Sequence, residues 1–149
     1  MPIFDPETYL NATTTESAST SMEPCPEGDF SATVKSADIK TWESKKTGTS
    51  GIKLSLVWDI DDQAVKESLG RTSLTCRQEF FLDLTDSGTI DYGKGKNISL
   101  GRLRDALGLN ESGQPFAFSM LPGRAAMVHV QHHLDGENIY DEVKRVARL

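Results

Sequence analysis

Residues 91–109 read DYGKGKNISLGRLRDALGL, and this stretch predicts a loop followed by a helix whose two ends are both marked. Asn97 is a favoured residue for the position just before a helix, and Gly108 is typical of the position just after one. Between them, leucines recur at the spacing that places them on one helical face. These leucines are Leu100, Leu103 and Leu107.

The same stretch contains a basic segment within an otherwise acidic chain. The protein has a formal net charge of -6, but between Tyr92 and Arg104 there are four basic residues and no acidic one. Residues 1–27, by contrast, contain five acidic residues and no Lys or Arg, so they carry -5 and the remainder carries -1. Because binding depends on local charge, a nearly neutral body with one basic surface can still bind a polyanion.

We therefore divide the chain into an acidic, largely disordered N-terminal arm, residues 1–27, and one folded domain, residues 28–149. The polar run in residues 11–21, NATTTESASTS, cannot bury enough apolar surface to fold alone. Four apolar residues precede this run: Ile3, Phe4, Tyr9 and Leu10. They form either an anchor that docks on a protein surface or a frayed terminus, and the sequence leaves both open.

From Gly28 onward the apolar residues follow the two-residue period of β-strands. Alternating runs predict three strands before the helix, in residues 30–42, 52–60 and 74–82, with a loop or short helix in residues 61–70. After the helix come a fourth strand containing Ala126, Val128 and Val130, a hairpin turn in residues 135–138 and a fifth strand in residues 139–147. This order predicts a mainly β fold, a five-stranded OB-fold-like barrel with one helix between the third and fourth strands. A different small β-barrel fits the pattern nearly as well.

Four short motifs in this order resemble a known family. They are EGDF at residues 27–30, NISLGRLRDALG at 97–108, PGR at 122–124 and DEVKRV at 141–146. Together they resemble the small phage-encoded single-stranded DNA-binding proteins of OB-fold type, over roughly residues 27–146. The resemblance implies a DNA replication or recombination protein that coats single strands with little sequence preference. Many such proteins end in an acidic, partner-recruiting tail, whereas this chain ends in KRVARL, so a recruiting tail here would be the N-terminal arm.

Sequence-tolerant binding of single strands needs cations along the phosphates and aromatic rings on which bases stack. If Phe30, Leu54 and Phe80 face inward, alternation places basic residues and Phe81 together on the outer face of the first three strands. Phe81 packing beneath the helix or the arm remains the alternative. Two loops also combine an aromatic residue with lysines, as a clamp over a strand would. The predicted nucleic-acid-binding residues are Lys35, Trp42, Lys45, Lys46, Lys53, Arg77, Phe81, Tyr92, Lys94, Lys96, Arg102 and Arg104.

The motifs that suggest an enzyme are weaker evidence than those that suggest nucleic-acid binding. The glycine-lysine loop, residues 92–96, lacks the GxxxxGK[ST] spacing of a nucleotide-hydrolysing loop. Asp59, Asp61 and Asp62 could gather Mg²⁺ but are better explained as a solvated turn. The histidines His129, His132 and His133 are similarly better explained as polar strand residues than as metal ligands. We expect no catalytic residues, no cofactor and no metal site.

The function predicted from the sequence is single-stranded DNA binding, with other replication or recombination proteins as candidate partners of the arm. The alternative is a β-barrel protein-interaction module with no nucleic-acid role, and a metal-dependent nuclease using the aspartates is a weaker rival. Self-association into a homo-oligomer is left open. With no secretory signal at the start and no apolar run of about 18 residues, we expect a cytoplasmic protein without a membrane partner, in the host cytoplasm if it is phage-encoded.

Overall fold

The alternating segments form one antiparallel sheet with short helices between its strands. The computed structural model describes residues 4–19 and 22–149, so Ile3 of the predicted anchor lies outside the described residues. The elements are α1 (Pro6–Asn11), β1 (Gly28–Glu43), β2 (Ser50–Ile60), α2 (Gln63–Ser68), β3 (Thr75–Phe81), α3 (Ile98–Ala106), a 3-10 turn (Phe118–Met120), β4 (Ala125–Asp135) and β5 (Asn138–Ala147).

The five strands lie in the order β3-β2-β1-β4-β5, and every neighbouring pair is antiparallel. The predicted mainly β fold with five strands is therefore confirmed, as is the position of α3 between the third and fourth strands. The predicted hairpin turn is also present, with Asp135 opposite Asn138 at the end of the β4–β5 ladder.

The sheet is not closed into a barrel. Because four antiparallel steps separate β3 from β5, these two edge strands run in the same direction. Across the ranges that the structure describes, no backbone pairing joins them. A gap remains between the two edges, and side chains of α3 line it at Ser99, Arg102 and Leu103.

A β-bulge bends the long first strand. The register between β1 and β2 shifts between Val34 and Ser36, so Lys35 has no directly opposed residue on β2. A bulge of this kind kinks the strand and increases its twist. The extra residue also shifts the alternation by one position. Beyond the bulge, the residues on the outer face of the sheet are therefore Ser36, Asp38, Lys40 and Trp42.

The core lies on the inner face of the sheet, as the alternation predicts. Phe30, Leu54 and Phe80 are all buried. Trp58 is fully buried, and its indole Nε1–H donates a hydrogen bond to Gln78 Oε1 at 3.0 Å. This partner explains how an indole N–H is accommodated in an apolar core.

The organising helix α3 begins after Asn97, as predicted, and packs Leu100 and Leu103 into the core. At its other end, the Leu109 N–H donates to the Arg104 carbonyl at 2.7 Å and the Gly108 N–H donates to the Asp105 carbonyl at 3.2 Å. With Gly108 at a φ of +72°, this is a Schellman termination. Asn97, however, makes no side-chain capping bond, because its amide is used elsewhere.

The arm contains a helix that local sequence signals encode. In α1, the Asp5 carboxylate accepts the Glu7 N–H at 3.1 Å and Pro6 occupies the first turn. The Phe4 and Tyr9 rings lie 5.9 Å apart, in the N′ and N4 positions of a hydrophobic staple. Phe4, Tyr9 and Leu10 are exposed, so this segment is not packed on the body.

The arm joins the body at Cys25, which is fully buried although it lies in the acidic segment. Its N–H donates to Asp141 Oδ2 at 2.7 Å, and its carbonyl accepts a hydrogen bond from His132 Nε2 at 2.6 Å. His132 and Asp141 are directly opposed on β4 and β5. Both main-chain polar groups of Cys25 are therefore held by one cross-strand pair of the hairpin.

Candidate nucleic-acid interface

The outer face of β1, β2 and β3 carries an aromatic residue beside a cation, as the alternation predicts. Lys53 lies opposite Phe81 in the β2–β3 ladder and opposite Lys40 in the β1–β2 ladder. Its Nζ lies 5.8 Å from the centroid of the Phe81 ring and 3.1 Å from each carboxylate oxygen of Glu79. The lysine is thus held in position above the aromatic ring.

Phe81 is 62% exposed, so it is not packed beneath the helix or the arm. Its ring meets Trp42 edge to face, with centroids 5.5 Å apart and an interplanar angle of 86°. The Trp42 ring lies directly over Gly51, where an added Cβ would be 2.8 Å from Nε1. This close approach buries Nε1, which has no hydrogen-bond partner among the described residues. The exposed surface of Phe81 is therefore supported from one side by a fixed indole.

Other predicted cations surround this pair without contacting it. Arg77 is exposed and lies opposite Val57 in the β2–β3 ladder. Lys45 and Lys46 are exposed in the turn between β1 and β2. Lys35 is exposed at the bulge, where it has no directly opposed residue on β2.

The second predicted cluster combines the loop before α3 with Arg104 of α3, and its lysines and its arginine differ in their contacts. Tyr92, Lys94 and Lys96 are exposed. The Arg104 guanidinium is half-buried, 4.2 Å from the centroid of the Phe116 ring and 5.6 Å from that of Tyr92. Arg104 Nε also donates to the Leu109 carbonyl at 3.0 Å. These contacts make Arg104 a support for the loop, while the lysines remain available to solvent.

Arg77, Phe81 and Arg102, which are far apart in the sequence, line one groove of about 930 Å³ between β3 and β5. Trp42 and the 92–96 loop do not line it. The β5 side of the groove adds residues that the sequence analysis did not select. They include Tyr140, Lys144 and Arg145, with His133 from β4.

His133 and Tyr140 form a second aromatic pair. They are directly opposed on β4 and β5, and their rings are stacked with centroids 5.4 Å apart and an interplanar angle of 27°. Tyr140 is 44% exposed. The signal in the sequence is an aromatic residue on each side of the hairpin turn, but only the register shows that the two rings meet.

The acidic and histidine clusters are engaged in structural contacts. Asp61 Oδ2 accepts the Thr33 hydroxyl at 2.8 Å, and Asp62 Oδ1 accepts the Val65 N–H at 3.1 Å as the N-cap of α2. His129 Nδ1 lies 2.8 Å from Asp29 Oδ1. Residues 4–19 and 22–149 contain no group of three or more His, Cys, Asp or Glu side chains arranged to hold a metal ion.

The two thiols lie in the core away from this surface. Burial raises the pKa of Cys25 to about 11, and the neighbouring Asp141 carboxylate adds to the effect. Burial also raises the pKa of Cys76, to a greater extent. Both cysteines are free, and both are therefore neutral thiols near pH 7.

Comparison with protein-family models and with curated protein sequences gives no match for this chain. Of the helices in the described ranges, none is both long enough and apolar enough to cross a membrane.

Proposed function

We propose that this chain is a sequence-tolerant single-stranded DNA-binding protein that acts in DNA replication or recombination, with an OB-fold-like domain as its binding body. The observation that carries the proposal is the exposed Phe81 ring, supported by Trp42 and flanked by the Lys53 ammonium group. A base can stack on such a ring while a neighbouring cation meets the phosphate. The protein acts by binding, and the proposal includes no catalytic step.

The strand order supports the OB-fold-like part of the proposal. The sheet order β3-β2-β1-β4-β5, with parallel edge strands and a helix between β3 and β4, is the arrangement that a five-stranded barrel of this type would have before its edges pair. In OB-folds, the face of the second and third strands and the loops beside it bind oligonucleotides. Lys53, Arg77 and Phe81 lie on that face.

Charge supports the proposal despite the net charge of -6. Phosphate neutralisation is local, and the turn between β1 and β2 and the loop before α3 carry four exposed lysines, Lys45, Lys46, Lys94 and Lys96. In the proposed function, the arm either competes with the nucleic acid for these cations or recruits another replication or recombination protein.

The test is fluorescence anisotropy of labelled oligo-dT, oligo-rU and a duplex, titrated at several salt concentrations. We expect salt-sensitive binding to the single strands and little binding to the duplex. Removing Phe81 by Phe81→Ala should cost about 1–3 kcal/mol of binding free energy, because one stacked base is lost. The double variant Lys53→Gln/Arg77→Gln should bind more weakly and with a smaller salt dependence.

The matched control is Lys66→Gln/Arg124→Gln, which removes the same number of positive charges outside the groove. Lys66 lies on α2, and Arg124 is exposed in the segment just before β4. Equal losses in the two double variants would mean that only net charge matters. Absence of single-strand binding by the unsubstituted protein at low salt would refute the proposal and favour the protein-interaction module.

A further inference from the structure

The groove between β3 and β5 is lined by charged residues of both signs. Four basic and four acidic residues line it. They are Arg77, Arg102, Lys144 and Arg145, and Glu79, Asp135, Asp141 and Glu142. Taken together, these charges cancel, so the groove would not attract an anion if each charge were equally available.

The acidic residues, however, are mostly engaged. Glu79 binds Lys53 with both oxygens, and Asp141 accepts the Cys25 N–H. Glu142 lies 4.0 Å from the Lys144 ammonium group. The three arginines Arg77, Arg102 and Arg145 have neither an ion pair nor a side-chain hydrogen bond within the described parts of the chain. Three guanidinium groups without an ion pair therefore face a groove in which two of the four carboxylates, those of Glu79 and Glu142, are paired with lysine ammonium groups.

Aromatic residues stand at opposite ends of this groove. Phe81 is the last residue of β3, whereas Tyr140 is close to the start of β5. Because β3 and β5 run in the same direction, the Phe81 end and the stacked His133–Tyr140 pair are separated along the groove. At the Phe81 end, Arg148 beyond β5 donates its Nε–H to the Asp105 carbonyl of α3 at 3.0 Å, which brings the helix against the end of β5.

We propose that the groove between the β3 and β5 edges is a binding channel for a phosphodiester strand and continues the outer-face site from Phe81 to the His133–Tyr140 pair. Arg77, Arg102 and Arg145 contact successive phosphates, since guanidinium groups bind phosphate oxygens in a bidentate manner. Tyr140 stacks on a base at the hairpin end of the channel. This inference rests on the proposed function and specifies the path of the strand around the edge of the sheet.

The first test is the variant Arg102→Gln/Arg145→Gln in the full-length chain, with oligo-dT binding measured over a range of salt concentrations. Each phosphate contact with a single strand contributes about 0.7 to the slope of log affinity against log salt, so losing two contacts should reduce the slope by about 1.4. Tyr140→Ala should weaken binding by roughly 5- to 150-fold, as expected for one stacked base. The control Lys66→Gln/Arg124→Gln should retain the slope of the unsubstituted protein.

A second measurement locates the strand directly. Oligo-dT containing 5-iodouracil is photocrosslinked to the unsubstituted protein, and the modified residues are identified by mass spectrometry. Crosslinks to both Tyr140 and Phe81 are expected. Crosslinks at Trp42 and Phe81 alone, together with an unchanged salt slope in the arginine variant, would overturn the channel and leave the outer-face function standing. If the unsubstituted protein does not bind the strand at all, the function and the channel are both refuted.

Discussion

Asp83 and Asn97 bind each other's main chain across the loop that carries the Tyr92–Lys96 cluster. The Asp83 N–H donates to Asn97 Oδ1 at 2.8 Å, and the Asn97 N–H donates to Asp83 Oδ2 at 2.8 Å. Asn97 Nδ2 also donates to the carbonyls of Asp83 at 3.0 Å and Asp91 at 2.8 Å. One buried amide therefore closes the loop at its base and fixes where α3 begins.

Replacing Asn97 should destabilise the fold by two separable effects. Asn97→Ala removes three side-chain hydrogen bonds and places alanine at a φ of +49°, so we expect a loss of about 3 kcal/mol in the free energy of unfolding. Asn97→Gly loses the same bonds but tolerates this backbone conformation, and it should be about 1 kcal/mol more stable than the alanine variant. Chemical denaturation measures both values; equal stability of all three proteins would contradict the assignment.

Gly51 should be required for the position of Trp42. In Gly51→Ala, the new Cβ would lie within 2.9 Å of three atoms of the indole ring, so the ring must move and the support of Phe81 is lost. We expect a change in tryptophan fluorescence and weaker oligo-dT binding.

The control for this change is Gly101→Ala in α3, where no atom outside the adjacent residues and the helix's own backbone lies within 4 Å of the added Cβ. Alanine favours a helix interior over glycine by about 1 kcal/mol, so this variant should be slightly more stable and bind normally. A Gly51→Ala variant that keeps the fluorescence and affinity of the unsubstituted protein would contradict the role assigned to the indole.

Truncating the arm before Cys25 should affect stability less than truncating it after Cys25. Removing residues 1–22 leaves the Cys25 contacts with His132 and Asp141 intact, whereas removing residues 1–27 deletes a fully buried side chain and both bonds. We therefore expect the shorter truncation to melt like the full-length chain and the longer one to lose several kcal/mol of stability. Thermal unfolding of the two truncations distinguishes these outcomes.

The shorter truncation also tests competition by the arm. If the acidic arm competes for the basic surface, removing residues 1–22 should tighten oligo-dT binding at low salt, and the effect should fade at high salt because the charges are screened. The full-length variant Asp5→Asn/Glu7→Gln/Glu16→Gln should reproduce the effect without shortening the chain. Unchanged or weaker binding would favour recruitment of a partner protein instead.

The buried thiols should lower stability under alkaline conditions. The folded-state pKa of Cys25 is raised to about 11 from 9.0, so the folded state holds a proton that the unfolded state loses above pH 9.0. The stabilisation is complete below pH 9.0 and is lost as the pH rises toward 11. Comparing the pH dependence of unfolding with that of Cys25→Ala isolates this contribution, and identical alkaline slopes would argue against it.

Much of the fold follows from local pattern. The alternation in residues 52–60 predicts a half-buried strand, and β2 is found there because one face must be buried. Gly108 marks the end of α3 for a local reason, its positive φ, whereas Asn97 marks the start through its bonds to Asp83 and Asp91. Even α1 is encoded locally by Asp5, Pro6 and the Phe4–Tyr9 contact, although composition favoured disorder in this segment.

The candidate site could be predicted only in part. The alternation of side chains along the strands correctly places Lys53 beside Phe81, because directly opposed residues on neighbouring strands share a face. The alternation cannot be followed beyond Lys35, because a bulge there adds one residue, and Trp42, which has the parity of the buried Phe30, lies on the outer face opposite Gly51. Arg104 illustrates a second limit: its charge suggests ligand binding, but packing on Phe116 assigns it to support of the loop.

The sequence by itself determined the number of the strands and their order along the chain, the C-terminal end of the organising helix and the separation of an acidic segment from a nearly neutral body. Each of these depends on residues close together in the chain. Only the tertiary structure decided that Cys25 belongs to the core and that Arg77, Arg102 and Arg145 share one groove. Those relationships depend on strand register and on how closely the two sheet edges approach, which are set by the packing of distant segments against one another.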